Sequence, residues 1–278
     1  STNRFFILPS DLKGDRVRLS PEQSHQVHHV LRLRPGDAIV VLDGAGAEYD
    51  VTLTTVGSRE TTGRVTNQRQ AAGEPTVEVT LFQSVLAREK FEWVLQKGVE
   101  VGVARFVPVL TERSLVRVRQ IEESKRTRGG ILTEAAEQSH RGRIPEIEEI
   151  VAWKDAVSQL RGFDRSLIAA TSGTSRTIKE SLEPGDKPLE SIAVLIGPEG
   201  GFTDDEVKQA CENGALAISL GPRILRTETA AVVVPALVLH ELGNLQPREG
   251  RGGPEDSAGK MFDSMLYLIS TPIGNLGD

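Results

Sequence analysis

Leu195-Ile196-Gly197-Pro198-Glu199-Gly200-Gly201-Phe202 ends the apolar run that begins at Ile192 and leads into Thr203-Asp204-Asp205-Glu206. The run is short and continuously apolar, as a strand buried on both faces should be. The tetrapeptide after it has the capping-box form, in which a threonine hydroxyl and a glutamate three residues on satisfy each other's backbone amides. A helix should therefore open there and stop at Asn213-Gly214. The same unit of strand, glycine-bearing turn and helix recurs at Ala217-Ile218-Ser219-Leu220, followed by Gly221-Pro222-Arg223-Ile224-Leu225-Arg226-Thr227-Glu228-Thr229. Its helix should span roughly Thr229 to Leu242 and bend at Pro235, which lacks a backbone donor.

Working outward, the alternation persists. Val77–Phe82 reads as a strand. Phe91, Val94, Leu95, Gly98 and Val99 have helical spacing that ends near Gly102, and Phe106–Leu110 is the next strand. A long helix is expected from Ile121 to about Ser139, then a strand over Leu167–Ala170. Strands alternating with helices predict an α/β domain with a mainly parallel sheet over residues 73–245. Upstream the rhythm differs. From Val17 to about Val65 short alternating runs are separated by turns, and Asp43-Gly44 between β-branched runs is a strong hairpin signal. A small β-barrel over residues 1–72 is expected, with Gln70-Ala71-Ala72-Gly73-Glu74-Pro75 as the boundary. Residues 246–264, rich in glycine, proline and charge, should form a disordered linker. Residues 265–278 then resume with a strand-like run, Met265-Leu266-Tyr267-Leu268-Ile269.

Turns at the carboxyl ends of parallel strands are the usual ligand site of α/β sheets, and glycines there let backbone groups approach a ligand. Neither turn has the Walker lysine or the Gly-x-Gly-x-x-Gly dinucleotide fingerprint. At this level the ligand stays open, and the turns could be no more than tight connections. Other features narrow the class of protein. The one cysteine, Cys211, excludes an intrachain disulfide and an all-cysteine metal cage. No run approaches the roughly 20 apolar residues of a membrane helix, and the N-terminus lacks a signal-peptide core, so a cytoplasmic protein without a membrane is expected. His25, His28 and His29 have no carboxylate or cysteine cluster beside them, which favours surface or RNA-facing histidines over a metal site. The net charge of −6 is unlike a nucleic-acid binder. Cations nevertheless cluster at Arg16, Arg18, Arg32 and Arg34, at Arg113, Arg117, Arg119, Lys125, Arg126 and Arg128, and at Arg141 and Arg143.

Taken together, these segments closely resemble the bacterial 16S rRNA (uracil-N3)-methyltransferase family of the SPOUT (α/β-knot) superfamily. The likeness covers about residues 4 to 243. It rests on Arg4-Phe5-Phe6, Val30-Leu31-Arg32, Pro35-Gly36-Asp37 and Leu42-Asp43-Gly44 in a PUA-like domain, and on Gln96-Lys97-x-x-Glu100-x-Gly102-Val103. Pro108, Thr111, Glu112, Arg113 and Ser114, then Glu134-Ala135-Ala136-Glu137-Gln138-Ser139-x-Arg141, and the two turns complete it. Where the family carries a histidine four positions before Val30, this chain has Gln26. The tail from Leu266 to Asp278 resembles the opening of a tetrapyrrole-methylase-like 16S rRNA ribose methyltransferase, so residues 265–278 are expected to be the truncated start of a second enzyme in a fused chain.

The resemblance implies a PUA-like β-barrel followed by a SPOUT α/β domain with a trefoil knot. It implies a homodimer acting on 16S rRNA within the small ribosomal subunit, with S-adenosyl-L-methionine (SAM) as cofactor. SAM would be held by Leu195, Gly197, Gly200, Gly201, Leu220, Ile224, Leu225 and Thr229. Arg226 would stabilise the uracil anion, with Glu228 orienting it or serving as base, unless Arg226 is merely ion-paired to Glu228 or Glu199. Target recognition would fall to the RNA-binding PUA-like domain, with Arg4 and Arg32, and to Arg113, Arg126 and Arg141, since arginine forks suit phosphates and unpaired bases. Aromatics make up only 4% of the chain, so stacking should be sparse and backbone contacts dominant. Three other readings stay open: a SPOUT enzyme for another RNA position, a non-catalytic assembly factor that kept the fold, and a nucleotide-binding module. The intact glycines oppose the second, and the absent Walker lysine opposes the third.

Overall fold

The computed structural model describes residues 2–114, 125–170, 176–183, 185 and 187–246. The expectations for residues 247–278, a linker and the start of a second enzyme, lie outside the described residues. So do residues 115–124, the first part of the helix expected from Ile121.

Strands β1 (Arg4–Phe6), β2 (Leu12–Lys13), β3 (Arg16–Arg18), β4 (Ala38–Leu42), β5 (Ala47–Val56) and β6 (Thr61–Gln70) form one sheet in the order β1-β4-β5-β6-β3-β2. Only β1–β4 is parallel. Period-2 alternation sends Val17, Val41, Val51 and Leu53 into one core with Phe5, Val27 and Ile39, while Arg16 and Arg18 stay exposed on the other face. The hairpin expected at Asp43-Gly44 is present. The Asp43 carboxylate accepts from the amides of Ala45 and Ala47 at 2.8 and 3.1 Å, and Gly44 and Gly46 take the positive φ that the turn needs. A short helix, α1 (Pro21–His25), had not been anticipated; its capping box is Ser20 with Gln23.

The second sheet contains β7 (Glu78–Ser84), β8 (Arg105–Leu110), β9 (Glu146–Ile147), β10 (Val151–Ala152), β11 (Arg165–Ala169), β12 (Ser191–Ile196) and β13 (Ala215–Ile218). All its pairings are parallel, in the order β10-β8-β7-β12-β11-β13 with β9 also on β8. Two cores flank it. One face carries α2 (Arg88–Val101), α3 (Lys125–Gln138), the short α5 (Ile178–Ser181) and α7 (Thr227–Glu241). The other carries α4 (Trp153–Gln159) and α6 (Asp204–Glu212). The capping box at Thr203 and Glu206, the stop at Asn213 and Pro235 inside the last helix all stand where the sequence placed them. Pro108 is tolerated within β8 for a local reason. Phe106 shares its strand side and accepts from the Glu148 amide, whereas Val109 faces β7. Pro108 therefore faces the outer side, in the gap between β9, which pairs with Arg105 and Phe106, and β10, which pairs with Val109 and Leu110.

The change of sheet falls in the turn expected to be a linker, but the turn is anchored. Glu74 takes the Arg141 guanidinium at 2.8 and 3.1 Å and the amides of Gly142 and Arg143 at 3.0 and 3.1 Å. Arg141 also donates to the carbonyls of Val99 and Val103. Glu137 on α3 accepts from the Phe6 amide of β1 at 2.8 Å. These ties draw residues 1–245 into one compact unit.

Two predictions follow from this junction. A Cβ on Gly73 would lie 2.2 Å from the His140 carbonyl oxygen. Gly73→Ala should therefore cost on the order of 2 kcal/mol, read as a lower urea midpoint with unchanged slope. At Glu137, burial raises the carboxyl pKa, the Phe6 amide opposes the shift and Glu134 adds to it. A carboxyl raised on folding contributes stability below its unfolded pKa and loses it as pH rises through the folded one. The stability of Glu137→Gln relative to wild type should then increase with pH from about 4.5 upward; a constant difference in urea midpoint between pH 4 and pH 8 would refute this.

Candidate active site

The site lies at the carboxyl ends of β7 and β12, adjacent parallel strands whose following helices, α2 and α6, pack on opposite faces. A crevice opens at such a switch in direction. The turn after β12 doubles back tightly: a Cβ on Gly197 would sit 3.1 Å from the Phe202 amide nitrogen, and Gly201, at φ +69°, donates to the Pro198 carbonyl. Two side chains fasten this turn from outside. Arg113, beyond β8, donates to the Gly200 carbonyl at 2.9 Å. Glu206, buried in α6, accepts from the amides of Thr203 and Glu112, both at 2.8 Å.

The second turn returns the chain to the same place. Gly221 turns at φ +91°, Ile224 is 88% exposed, and Leu225 packs against the core. Arg226 stands exposed at the N-cap position of α7, its side chain making no capping hydrogen bond. Thr227, one residue on, is buried; its hydroxyl donates to the Gly197 carbonyl and accepts from Gln83 Nε2 at 3.2 Å. One hydroxyl thus joins β7, the first turn and the start of α7.

Charged groups gather around this tie. Lys90 on α2 bonds to Glu199 at 2.9 Å. The bond raises the lysine pKa, the Glu228 charge raises it further and Arg226 opposes it. Burial works most strongly against ionised Glu199, but the Lys90 hydrogen bond, a backbone hydrogen bond and the Lys90 charge together outweigh it and the carboxyl is lowered. Among the described residues three buried polar atoms here have no partner: Gln83 Oε1, Ser84 Oγ and Glu228 Oε2. Buried polar atoms are normally satisfied, so three unpaired ones at this strand end set the place apart from the rest of the fold.

Comparison with known proteins bears directly on this arrangement. A family model described as an RNA methyltransferase domain matches residues 73–239, and one described as an RNA methyltransferase PUA domain matches residues 22–65. Ribosomal RNA small subunit methyltransferase E of Synechocystis is 32% identical, over 84% of this chain and 76% of its own. This chain belongs to the methyltransferase E family. The Bacillus subtilis member is 28% identical over 86% of this chain and 96% of its own. The Neisseria gonorrhoeae member, solved with S-adenosyl methionine bound, superposes with a TM-score of 0.76 at 30% identity, covering 86% of this chain and 98% of its own. A Legionella pneumophila methyltransferase, also solved with SAM, gives 0.77 at 30%, with the same coverage.

Within this family fold the residues expected at the site divide. Gly197, Gly200, Gly201, Leu220, Ile224, Leu225, Arg226, Glu228 and Thr229 all lie on the two turns or the first residues of α7. Leu195 lies just before them on β12, its side chain fully buried in the core with Phe82 and Val107, so only its backbone is left for a ligand. Glu199 is taken by Lys90, and among the described residues Arg226 makes no ion pair. Of the arginines expected to meet RNA, two are corrected. Arg4 has an 8% exposed side chain paired with Glu48, and Arg141 is 3% exposed and committed to Glu74; both neutralise carboxylates inside the fold. Arg113 is exposed but braces the first turn. Arg32 is exposed, at a left-handed φ of +53°. The side chain of Arg126 lies outside the described residues. Sequence reasoning missed Gln83, Ser84, Lys90 and Thr227, and read Glu206 only as a helix cap without its bond to Glu112. The polar pair Gln83-Ser84 closing an apolar strand was the available signal.

Thr227→Val keeps the shape and removes the hydroxyl, leaving the Gly197 carbonyl without that donor. It should destabilise the protein by about 1–3 kcal/mol, measured by urea denaturation; a change below 0.5 kcal/mol, roughly the level of an ordinary surface substitution, would refute the tie.

Proposed function

We propose that the protein transfers the methyl group of SAM to N3 of a uridine in 16S rRNA of the bacterial small ribosomal subunit. The observation that carries this reading is the Thr227 hydroxyl, which gathers the Gly197 turn and the Arg226–Glu228 segment at one crevice. The residues there fit the cofactor. The turns of Gly197, Gly200, Gly201, Leu220, Ile224 and Leu225 would present to a purine edge the backbone groups not already bonded to Thr227, Arg113 and Pro198; Thr229 borders them, and Gln83 Oε1 and Ser84 Oγ suit hydroxyl or ammonium donors. When bound, SAM supplies a methyl group already activated on a sulfonium.

What the chain must add is a competent nucleophile. Uracil N3 holds a proton and attacks only as that proton leaves, which places negative charge on the ring. Arg226 stabilises that charge, and Glu228 accepts the proton or orients the guanidinium. Lys90, anchored by Glu199, adds a second cation close by. In-line alignment of the reactants supplies much of the remaining rate. Exposed Arg32, with Arg113 and Arg126, meets the RNA.

The same reading makes the protein a cytoplasmic homodimer whose partner borders the site. Among the described residues no helix is long and apolar enough to cross a membrane and no His, Cys, Asp or Glu group could hold a metal. It also includes the trefoil knot. β13 lies beyond β11 at the sheet edge, whereas α7 begins beside β12 and β7, so the chain doubles back over strand ends before α7.

Arg226→Ala should abolish formation of N3-methyluridine in unmodified small subunits, read by nucleoside mass spectrometry. Its SAM affinity by calorimetry should stay within tenfold, about 1.4 kcal/mol. Full activity in the variant would remove Arg226 from the mechanism, and a wild-type protein that neither binds SAM nor methylates would overturn the reading.

A further inference from the structure

The turn after β12 carries a carboxylate beside the arginine of the proposed chemistry. Glu199 is exposed on that turn and bonds to Lys90 on α2 at 2.9 Å. A competing partner stands nearby. The Thr227 hydroxyl fastens the start of α7 to the Gly197 carbonyl. Arg226, one residue before Thr227, is thereby set beside the turn that bears Glu199, two residues after Gly197. Arg226 is exposed, and among the described residues it makes no ion pair. No side chain caps this end of α7, and the free amides of a helix N-terminus draw negative charge. An unheld Glu199 would therefore move to the start of α7 and the Arg226 guanidinium.

Lys90 stands against that move. Arg88, the other cation in the first turn of α2, is taken by Glu92 at 2.7 Å, and Arg113 is spent on the Gly200 carbonyl. The Glu199 bond and charge raise the Lys90 pKa, while the Arg226 charge opposes the rise, so the two cations lie close enough to compete for one carboxylate. A half-exposed ion pair contributes little to stability. Its place beside Arg226 calls for another reason.

We propose that Lys90 is a positioning residue: it withholds Glu199 from Arg226 and so leaves the guanidinium free to meet the negative charge that develops on the uracil ring. Paired to Glu199, the ammonium is itself largely neutralised, and its main effect passes through the carboxylate it holds. The inference rests on the role of Arg226 in the proposed function and adds what keeps that role open. An arginine already bonded to a carboxylate has its charge spent before the reaction begins, and only interactions gained in the transition state raise kcat.

The test is Lys90→Met in the full chain, assayed on unmodified small subunits beside Lys90→Arg and the double variant Lys90→Met/Glu199→Gln. Lys90→Met should lower kcat by about 10- to 100-fold, somewhat less than deleting a transition-state donor outright. KM for RNA, SAM affinity and melting temperature should hold. Lys90→Arg restores the pair and should recover kcat. The double variant has no charge to place on Arg226, so its kcat should rise back toward the wild-type value. A crystal structure of Lys90→Met should show the Glu199 carboxylate on the Arg226 guanidinium. The inference alone is overturned by a double variant as slow as Lys90→Met, by wild-type kcat in Lys90→Met, by a loss that tracks a lowered melting temperature, or by Glu199 lying away from Arg226 in that crystal. Full activity in Arg226→Ala overturns it together with the role of Arg226. A wild-type protein that methylates no small-subunit RNA overturns it together with the whole proposed function.

Discussion

The parallel pairing of β7 with β12 at the middle of the second sheet is the constraint on which the rest depends. Register sets Gln83 opposite Ile196, so both strands end at the same level. Their chains then leave in opposite directions, one to α2 and the other to α6. In α/β sheets a ligand crevice lies outside such diverging connections, and here Glu199 and Gly200 of the first turn stand exposed. The Thr227 hydroxyl closes this arrangement from a third direction by joining Gln83 to the Gly197 carbonyl.

The two turns are held differently. Arg113 and Glu206 clamp the first to the segment after β8 and to α6, so the positions of Gly200, Gly201 and Phe202 are dictated by the sheet beneath. The second projects farther, with Ile224 almost fully exposed at its tip. A rigid floor and a projecting lip suit a ligand that is gripped on one side and covered on the other.

Charge is sorted as carefully as apolar surface. Arg4 and Arg141 spend their charge on Glu48 and Glu74 inside the fold, where they fix β1 against β5 and the inter-sheet turn against α3. An unpaired partner in either place would be a buried charge, a far larger penalty than any surface pair could offset. Arg16 and Lys13, by contrast, stand exposed on the first sheet and make no ion pair among the described residues. Net charge alone therefore hides both groups: one is neutralised within, the other concentrated on a single face.

Local chemistry in the sequence determined the alternation of strand and helix, the Asp43-Gly44 hairpin, the capped helix at Thr203 and the two glycine turns, because each depends on neighbours within a few residues. The family motifs carried the location of Arg226 and Glu228 for the same reason. Long-range contacts decided the remainder. Gln83 meets Thr227 across 144 residues and Arg141 meets Glu74 across 67, so neither the tie at the crevice nor the burial of an arginine that reads as RNA-facing is visible from spacing. Strand alternation likewise sends the Leu195 side chain into the core and leaves only its backbone for a ligand. Only tertiary contacts, the register of the strands and the pairing of Arg141 with Glu74, could separate cations that hold the fold from cations that face outward.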